Sequence, residues 1–255
     1  MNYRPLGQTG MEVSLLGLGT VKLGRDQQVR YPRPFTIPDD RAAAVLLNRA
    51  QELGVNLLDT APAYGTSEER LGALLRNNRH DWVICTKVGE EFDNGTARFD
   101  FSPEHVQQSV KRSLQRLQTD YLDVVLIHSD GNDVKILDEL GTLGALRDLQ
   151  QRGWIRAVGL SHKTVAGAER ALALGCDVIM ATLNVDAKGE AAVIASAGAQ
   201  HCGVLIKKAL ASGQEAPDSL AWVAAQPGVS SIVAGTIDLE HLAANAAVLS
   251  EVRGG

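Results

Sequence analysis

Four side chains able to donate, accept or stabilise a proton lie close to the ends of strand-like segments. Asp59, Lys87 and His128 each end an apolar segment, and Tyr64 follows Asp59 in the next loop. A carboxylate, an amine, an imidazole and a phenol are all groups that proteins use for general acid–base work. Barrels of alternating strands and helices assemble their active sites at the C-terminal ends of the strands. The positions of these four residues therefore indicate one candidate catalytic cluster.

The alternation of side chains along a strand strengthens this interpretation. Residues two apart face the same way, so Asp59 points with Leu57 and Lys87 points with Cys85. Taken singly, each polar residue also has a structural explanation: a carboxylate that caps a turn, a lysine that reaches out from a strand end, a histidine satisfied in the core, or a tyrosine on a surface loop. Because the pattern recurs at several strand ends, a shared site in one barrel mouth is favoured.

Strand-like and helix-like segments alternate along the chain, with glycines such as Gly54, Gly153 and Gly175 placed after helices. The sequence predicts barrel strands over residues 15–19, 56–59, 82–87, 121–128, 155–161, 177–183, 203–207 and 230–234. It predicts helices over residues 39–53, 67–75, 102–117, 136–151, 165–174, 191–199, 219–225 and 239–249. Two connections are expected to be loops, residues 21–38 at the mouth and residues 89–101.

Eight strand–helix units without a linker predict one domain over residues 1–255, built as a single closed (β/α)8 TIM barrel. Residues 3–14 predict an N-terminal β-hairpin before it. The alternation by itself also allows an open doubly wound sheet. The absence of a GxGxxG turn after the first strand argues against that alternative. With 45% hydrophobic residues, the chain can bury one large core.

The composition argues against several classes of partner. A formal net charge of −5 leaves no basic excess for binding nucleic acid. No apolar run is long enough to span a bilayer, and the first residues lack the apolar region of a signal peptide, so we expect a cytoplasmic protein that does not contact membranes. Cys85, Cys176 and Cys202 are widely spaced, which fits a reducing compartment and predicts no metal site.

Several motifs resemble those of one family and occur in its order. They are RPLGQTGMEVSLLGLGT, LLDTAPAYGTSEERLGALL, VICTKVG, YLDVVLIHSD and GWIRAVGLS. Together they closely resemble the aldo-keto reductases over nearly the whole chain. The resemblance favours the closed barrel, and it implies an NAD(P)H-dependent oxidoreductase that reduces aldehydes or ketones to alcohols. It also implies that the N-terminal hairpin closes the barrel bottom and that the chain is a short member without an extended C-terminal tail.

By this resemblance, Asp59, Tyr64, Lys87 and His128 are the catalytic tetrad. Hydride transfer to a carbonyl builds negative charge on the oxygen, so the site needs a proton donor directed at that oxygen. Tyr64 is the expected general acid, and Lys87 is expected to lower the pKa of its hydroxyl. Asp59 is expected to hold Lys87, and His128 to donate a hydrogen bond to the substrate oxygen.

The resemblance also implies a cofactor site along the later strands. The residues expected to contact the cofactor are Ser161, His162, Lys207, Leu210, Ser212, Gly235, Thr236, His241 and Asn245. Ser161 matches a serine that contacts the nicotinamide carboxamide, and Asn245 matches an adenine contact. The chain departs from the family where His162 replaces a common asparagine, Met180 replaces a glutamine and Lys207 replaces a stacking aromatic residue.

The same region predicts which cofactor is used. In NADPH-preferring members, lysine or arginine after the eighth strand grips the 2′-phosphate. Residues 235–245 contain neither, and His241 stands where an arginine is common. Because the family as a whole prefers NADP(H), we expect NADP(H) rather than NAD(H), with weaker discrimination against NAD(H) than an arginine-bearing member shows.

Two other functions stay open on the sequence. The altered nicotinamide residues are compatible with a redox-sensing or regulatory nucleotide-binding protein that has little turnover. An aldolase that forms a Schiff base on Lys87 fits less well, because the tyrosine and histidine motifs match a reductase. The expected partner is a small-molecule carbonyl substrate, and the sequence indicates no particular oligomeric state.

Overall fold

The computed structural model describes residues 1–29, 31, 34–93, 95–211 and 217–252. Its strands are β1 (Tyr3–Pro5), β2 (Glu12–Ser14), β3 (Leu16–Gly19), β4 (Leu57–Asp59), β5 (Val83–Val88), β6 (Glu90–Asp93), β7 (Thr96–Phe99), β8 (Leu122–His128), β9 (Ile155–Ser161), β10 (Val178–Thr182), β11 (Gly203–Lys207) and β12 (Ser231–Ala234). Its α-helices are α1 (Asp40–Glu52), α2 (Ser67–Leu74), α3 (Pro103–Arg116), α4 (Asp133–Asp138), α5 (Thr142–Gln151), α6 (Val165–Ala173), α7 (Ala191–Ala199), α8 (Ser219–Ala224) and α9 (Leu239–Glu251). None of the described helices has the length and apolar character needed to cross a membrane.

Eight of these strands form a closed parallel barrel. Around it the order is β3, β4, β5, β8, β9, β10, β11 and β12, and β12 pairs with β3 to close the ring. The strands β1 and β2 form an antiparallel hairpin outside this ring. The predicted (β/α)8 barrel with an N-terminal hairpin is therefore confirmed, whereas the prediction that the whole chain is one domain stays a prediction.

The barrel wall separates two apolar cores. Inside the barrel, side chains from successive strands pack on one another: Leu57, Cys85, Val124, Leu126, Ala157, Val178, Met180 and Leu205. The alternate residues, such as Ile84, Val125 and Ile127, pack outward against the helices. Since the inward residues of β5 and β8 lie two positions before Lys87 and His128, both polar side chains are directed to the barrel mouth.

The N-terminal hairpin closes the other end of the barrel. Leu6 and Val13 from this hairpin are fully buried in the interior core. Gly7, with φ of +58°, lies directly against the start of β11, where a Cβ atom would come within 2.4 Å of the backbone nitrogen of Gly203. Only glycine fits this contact. The hairpin is thus seated tightly at the bottom of the barrel.

Two sequence predictions about connections were wrong. Residues 89–101 were expected to form a loop but contain the antiparallel pair β6 and β7, in which Glu90 lies opposite Phe99. The Asn94-Gly95 dipeptide is a recognised hairpin signal. The helix expected over residues 136–151 is divided into α4 and α5, because Gly141 between them adopts the left-handed φ of +73°. The other predicted elements are present, with ends shifted by no more than about two residues.

Candidate active site

Consecutive barrel strands bring the four predicted catalytic residues together. Asp59 is the last residue of β4, Lys87 lies one residue before the end of β5, and His128 is the last residue of β8. The strand order places β4, β5 and β8 side by side. Tyr64 ends a short 3₁₀ turn, Pro62–Tyr64, that follows β4. All four side chains consequently meet at the C-terminal ends of the strands.

Lys87 is the buried centre of this cluster, with a relative exposure of 1%. Its Nζ donates to Asp59 Oδ1 at 2.6 Å, to the carbonyl oxygen of Thr60 at 2.8 Å and to the Tyr64 hydroxyl at 3.3 Å. Burial disfavours the charged amine, but the charge of Asp59 and the contact with Tyr64 outweigh it and raise the pKa of Lys87. Lys87 is therefore a protonated ammonium held against a phenol.

The pKa of Tyr64 departs from the sequence expectation. Burial raises this pKa above its ordinary value, and Asp59 adds to the rise. Lys87 lowers it, as expected, but does not reverse the effect of burial. The expectation of a net lowered pKa was therefore wrong. At neutral pH Tyr64 keeps its proton, so its hydroxyl is a donor.

His128 has an acidic partner that the sequence analysis did not identify. Its ring is perpendicular to the Tyr64 ring, with centroids 6.3 Å apart. Its Nδ1 lies 3.0 Å from Oε2 of Glu90. Burial lowers the pKa of His128, and the neighbouring carboxylate only partly offsets this. Glu90 is the first residue of β6, so it was missed together with the hairpin.

Arg25 links Glu90 to the tyrosine turn. Its Nη1 lies 3.7 Å from Glu90 Oε1 and donates to the carbonyl oxygen of Ala63 at 3.1 Å. The guanidinium carbon also lies 3.4 Å from the centroid of the Phe92 ring on β6. Burial opposes ionisation of Glu90, but contacts with His128 and Arg25 outweigh it and lower the pKa of this carboxyl. Glu90 is therefore a carboxylate at neutral pH.

Three of the expected cofactor residues contact one another at the neighbouring strand ends. Lys207 Nζ donates to Ser161 Oγ at 3.0 Å and to the carbonyl oxygen of His162 at 2.7 Å. Met180 pairs with Ser161 across β10 and β9 and points into the barrel interior. Burial lowers the pKa of Lys207 to about 8. The structure thus places a weakly basic amine beside the serine predicted to contact the carboxamide.

A second acidic residue outside the predicted set orients His162. Glu190 Oε2 lies 2.7 Å from His162 Nε2 and accepts from the backbone nitrogen of Thr182 at 3.0 Å. Within the described residues, the buried Nδ1 of His162 has no hydrogen-bond partner. A carboxamide offers both an acceptor oxygen and a donor nitrogen. The hydroxyl of Ser161 and the amine of Lys207 therefore fit a nicotinamide carboxamide, whereas the His162 ring is fully buried.

The other expected cofactor residues lie farther along the same rim. Leu210 is partly buried after β11, and Ser212 lies outside the described residues. Thr236 is buried just after β12, and its Oγ1 accepts from the backbone nitrogen of Asp238 at 3.0 Å. Asn245 is buried on α9, so it is not the surface residue that its position in a helix would also allow.

The N-terminus of α9 is already occupied by a carboxylate. Asp238 Oδ1 accepts from the backbone nitrogens of Glu240 at 2.8 Å and His241 at 3.0 Å. These backbone bonds lower the pKa of Asp238. The side chain of His241 is exposed. A negative charge thus lies where a helix N-terminus would otherwise attract a phosphate.

Part of the segment 21–38 lies over the mouth. Lys22 Nζ lies 3.9 Å from the ring centroid of Tyr31 and 5.1 Å from that of Phe35. A Cβ atom at Gly235 would come within 2.6 Å of the Tyr31 hydroxyl. Burial and the charge of Asp59 raise the pKa of Tyr31 to about 12. A second protonated phenol therefore lies at the rim.

Comparison with known proteins agrees with this geometry. The profile of the Aldo/keto reductase family matches residues 15–188. A solved structure from Pseudomonas aeruginosa, described as a candidate aldo-keto reductase, is 52% identical, with 98% of this chain and 95% of that chain covered and a TM-score of 0.91.

Two curated relatives match a shorter part. L-galactose dehydrogenase from Arabidopsis thaliana is 38% identical over 168 residues, which are 63% of this chain and 48% of that protein. The NADH-specific methylglyoxal reductase of Escherichia coli is 30% identical over 199 residues, 72% of this chain and 60% of that protein. The chain spans about half the length of the curated relatives it matches. Because the family profile covers more than half of the chain and the barrel matches a solved relative throughout, the chain belongs to the aldo-keto reductase family of oxidoreductases.

Proposed function

We propose that the protein is an NAD(P)H-dependent oxidoreductase that reduces small aldehydes or ketones to alcohols. One observation carries this proposal: the buried ammonium of Lys87 contacts both the Asp59 carboxylate and the Tyr64 hydroxyl at the ends of the barrel strands. A charged amine this well buried is costly to maintain unless it is paired. Its contact with a phenol fits a site that handles a proton at the Tyr64 oxygen.

Tyr64, Lys87 and Asp59 have separate roles in carbonyl reduction. A bound reduced nicotinamide would supply the hydride that adds to the carbonyl carbon. Tyr64 gives its hydroxyl proton to the oxygen, where negative charge develops. The transfer is favourable even from a phenol of raised pKa, because an alkoxide is a stronger base than a phenolate. Lys87 stabilises the phenolate until a proton returns from water, and Asp59 keeps Lys87 in place.

Residues on β9 and β11 are suited to hold the nicotinamide ring. Ser161 and Lys207 would bind its carboxamide, and the carbonyl oxygen of His162 would hold Lys207 in place. Lys207 thereby takes over a polar contact that Met180, with its weakly accepting sulfur, cannot provide. This arrangement supports cofactor binding despite the departures from the family pattern.

We propose NADP(H) as the preferred cofactor, with weaker discrimination against NAD(H) than an arginine-bearing member shows, on the order of tenfold to a hundredfold. The preference of the family supports NADP(H). Residues 235–245 provide no lysine or arginine for the 2′-phosphate, and Asp238 opposes it at the start of α9. The E. coli relative, named as NADH-specific, supports use of the unphosphorylated cofactor in this family.

Assay of the purified chain with a panel of small aldehydes and ketones tests the proposal. We expect consumption of reduced cofactor, measured by its absorbance. Tyr64→Phe should lower turnover by roughly a hundredfold or more, the scale for loss of a general acid. Its cofactor affinity, measured by fluorescence titration, should be unchanged. Tyr121→Phe, which changes a tyrosine at the opposite end of β8, should leave both properties at the wild-type level.

The same assay separates the alternatives. A Tyr64→Phe variant that turns over at the wild-type rate would contradict the assignment of Tyr64 as the acid. If the wild-type chain binds cofactor but reduces no carbonyl compound in the panel, a regulatory nucleotide-binding role replaces the proposed enzyme. The altered residues Met180 and Lys207 are the feature that would then account for the loss of turnover.

A further inference from the structure

The amine of Lys207 differs from that of Lys87 in the groups that hold it. Lys87 Nζ donates to the carboxylate of Asp59 at 2.6 Å. Lys207 Nζ donates to two neutral oxygens, the hydroxyl of Ser161 at 3.0 Å and the carbonyl oxygen of His162 at 2.7 Å. Among the described residues, Lys87 forms an ion pair with a carboxylate, whereas Lys207 forms none. The direct contacts of Lys207 therefore do not require it to be protonated.

Lys207 lies at the barrel mouth, where carbonyl compounds are expected to bind. It is the last residue of β11, and Ser161 is the last residue of β9. Ser161 in turn pairs in register with His128 on β8, one of the four candidate catalytic residues. Lys207 is partly exposed, so a small molecule that enters the mouth can reach it.

The hydrogen bonds of Lys207 suit the neutral form of its amine. A neutral amine has two hydrogens and one lone pair. Two acceptors are enough to bind both hydrogens, and Ser161 and His162 supply them. The lone pair is then free to attack an electrophilic carbon. A desolvated lysine is the form that proteins use to attack carbonyl groups.

The surroundings of Lys207 favour this neutral form. Burial is the main reason why its pKa is lowered, to about 8. The charged groups that act on it are Lys208 and Lys87, which lower the pKa, and Glu190 and Asp133, which raise it. Glu190 Oε2 already lies 2.7 Å from His162 Nε2. At pH 7 about one-tenth of the Lys207 amine is neutral, compared with less than about a thousandth of a free lysine.

We propose that Lys207 is a nucleophilic amine that captures small aldehydes as an imine when no nicotinamide lies beside Ser161. The Nζ lone pair forms a bond to the aldehyde carbon, and one amine hydrogen moves to the aldehyde oxygen to give a carbinolamine. The hydroxyl group and the second amine hydrogen then leave as one water molecule, and a C=N double bond forms. No oxidant or reductant is consumed, and water reverses the reaction.

This activity goes beyond the proposed reduction, and it uses a different amine from the Schiff base considered on Lys87. Burial disfavours the charge of Lys87, but Asp59 outweighs it and raises the pKa, so that amine is protonated and has no lone pair. The imine on Lys207 would occupy the place proposed for the nicotinamide carboxamide. Aldehyde and cofactor therefore compete for Lys207, and a high aldehyde concentration slows reduction by excluding the cofactor.

Reductive trapping on the full chain without cofactor tests the proposal. Propionaldehyde forms the imine at pH 7, sodium cyanoborohydride converts it to a stable propylamine, and tandem mass spectrometry of peptides identifies each modified lysine. We expect modification of Lys207 to be faster by about tenfold or more than that of Lys208 and Lys188, which are exposed. This ratio is smaller than the ratio of neutral fractions because a less basic amine is a weaker nucleophile.

All lysines are compared in one sample of the wild-type chain, so the result does not depend on the folding of a variant. Modification of Lys207 that is no faster than that of Lys208 and Lys188 would overturn the proposal, because it would be ordinary surface chemistry. Faster modification of Lys87 than of Lys207 would also overturn it.

Protection by cofactor gives a second readout. It is measured in Tyr64→Phe, which should bind NADPH but consume little aldehyde. NADPH at about ten times its Kd should slow the modification of Lys207 by about tenfold and leave that of Lys208 unchanged. Fast modification of Lys207 without protection supports the imine but contradicts the place proposed for the nicotinamide. If the wild type reduces no carbonyl compound, the proposed function fails, while trapping still decides the role of Lys207.

Discussion

At the scale of single residues, Lys207 gives the nicotinamide site a charge that pH can remove. Its pKa is lowered to about 8, and its amine donates to Ser161. The oxidised nicotinamide ring is cationic and the reduced ring is neutral. Below pH 8 the protonated amine therefore opposes binding of the oxidised cofactor, and above pH 8 this repulsion disappears.

We accordingly expect the preference for reduced over oxidised cofactor to weaken by about fivefold as the pH rises through 8, which corresponds to ~1 kcal/mol for one partly screened charge. Lys207→Met should abolish the pH dependence. Lys188→Met, which changes an exposed lysine elsewhere, serves as the control. Fluorescence titration of both cofactor forms across this range measures the effect. If the preference for reduced over oxidised cofactor stays the same as the pH rises through 8, the charge of Lys207 does not affect cofactor binding.

At the scale of elements, the break between α4 and α5 depends on one glycine. Gly141 has φ of +73°, and a Cβ atom there would lie 3.2 Å from Pro103 Cγ. Gly141→Ala should lower the free energy of unfolding by about 1–2 kcal/mol. Gly144 lies on the exposed face of α5, and a Cβ atom added there would meet no described atom within 4 Å. Gly144→Ala should therefore raise the free energy of unfolding by ~0.5–1 kcal/mol, because alanine favours a helix more than glycine does. Urea denaturation of both variants tests the opposite signs, and equal effects would contradict this account of the break.

The start of α9 is the element that bears on cofactor choice. Asp238→Asn keeps an oxygen that can cap the helix but removes the charge that opposes a 2′-phosphate. We expect the NADPH-to-NADH affinity ratio to rise by about fivefold, the effect of ~1 kcal/mol from one exposed charge. Glu251→Gln at the far end of α9 is the control. If the wild type already prefers NADPH by more than about a thousandfold, cations elsewhere reach the phosphate and this account of the helix start is wrong.

The elements also show which parts of the site could be predicted from the sequence. The places of Asp59, Lys87 and His128 followed from strand periodicity, because each lies at or next to the end of a strand whose apolar residues alternate inward and outward. Glu90 and Glu190 were not predicted. Glu90 reaches His128 only because a hairpin folds back over the mouth, and Glu190 meets His162 from a position 28 residues away. Such contacts depend on tertiary placement that no local pattern encodes.

At the scale of the whole molecule, the closed barrel was predictable because every unit repeats the same alternation. Short motifs identified the family and therefore the strand order. The division of α4 from α5 was missed because its apolar spacing continues on both sides of Gly141. The pKa of Tyr64 was also mispredicted, because the sequence shows the neighbouring cation but not how far the barrel buries the hydroxyl. Burial is a property of the assembled fold.

The N-terminal hairpin, with Leu6 and Val13 buried inside the barrel bottom, closes that end among the described residues, so both reactants are expected to enter through the barrel mouth. The reactant that binds deeper in the barrel mouth must bind first, and its product must dissociate last. Ser161 and Lys207, the residues proposed to hold the nicotinamide, lie at the ends of β9 and β11, with Ser161 buried. We expect a carbonyl compound bound first over them to obstruct the dinucleotide. We expect compulsory-order kinetics in which oxidised cofactor inhibits competitively against reduced cofactor, and the alcohol product does not. Initial-rate product-inhibition patterns measure this, and competitive inhibition by both products would mean that the two reactants enter independently.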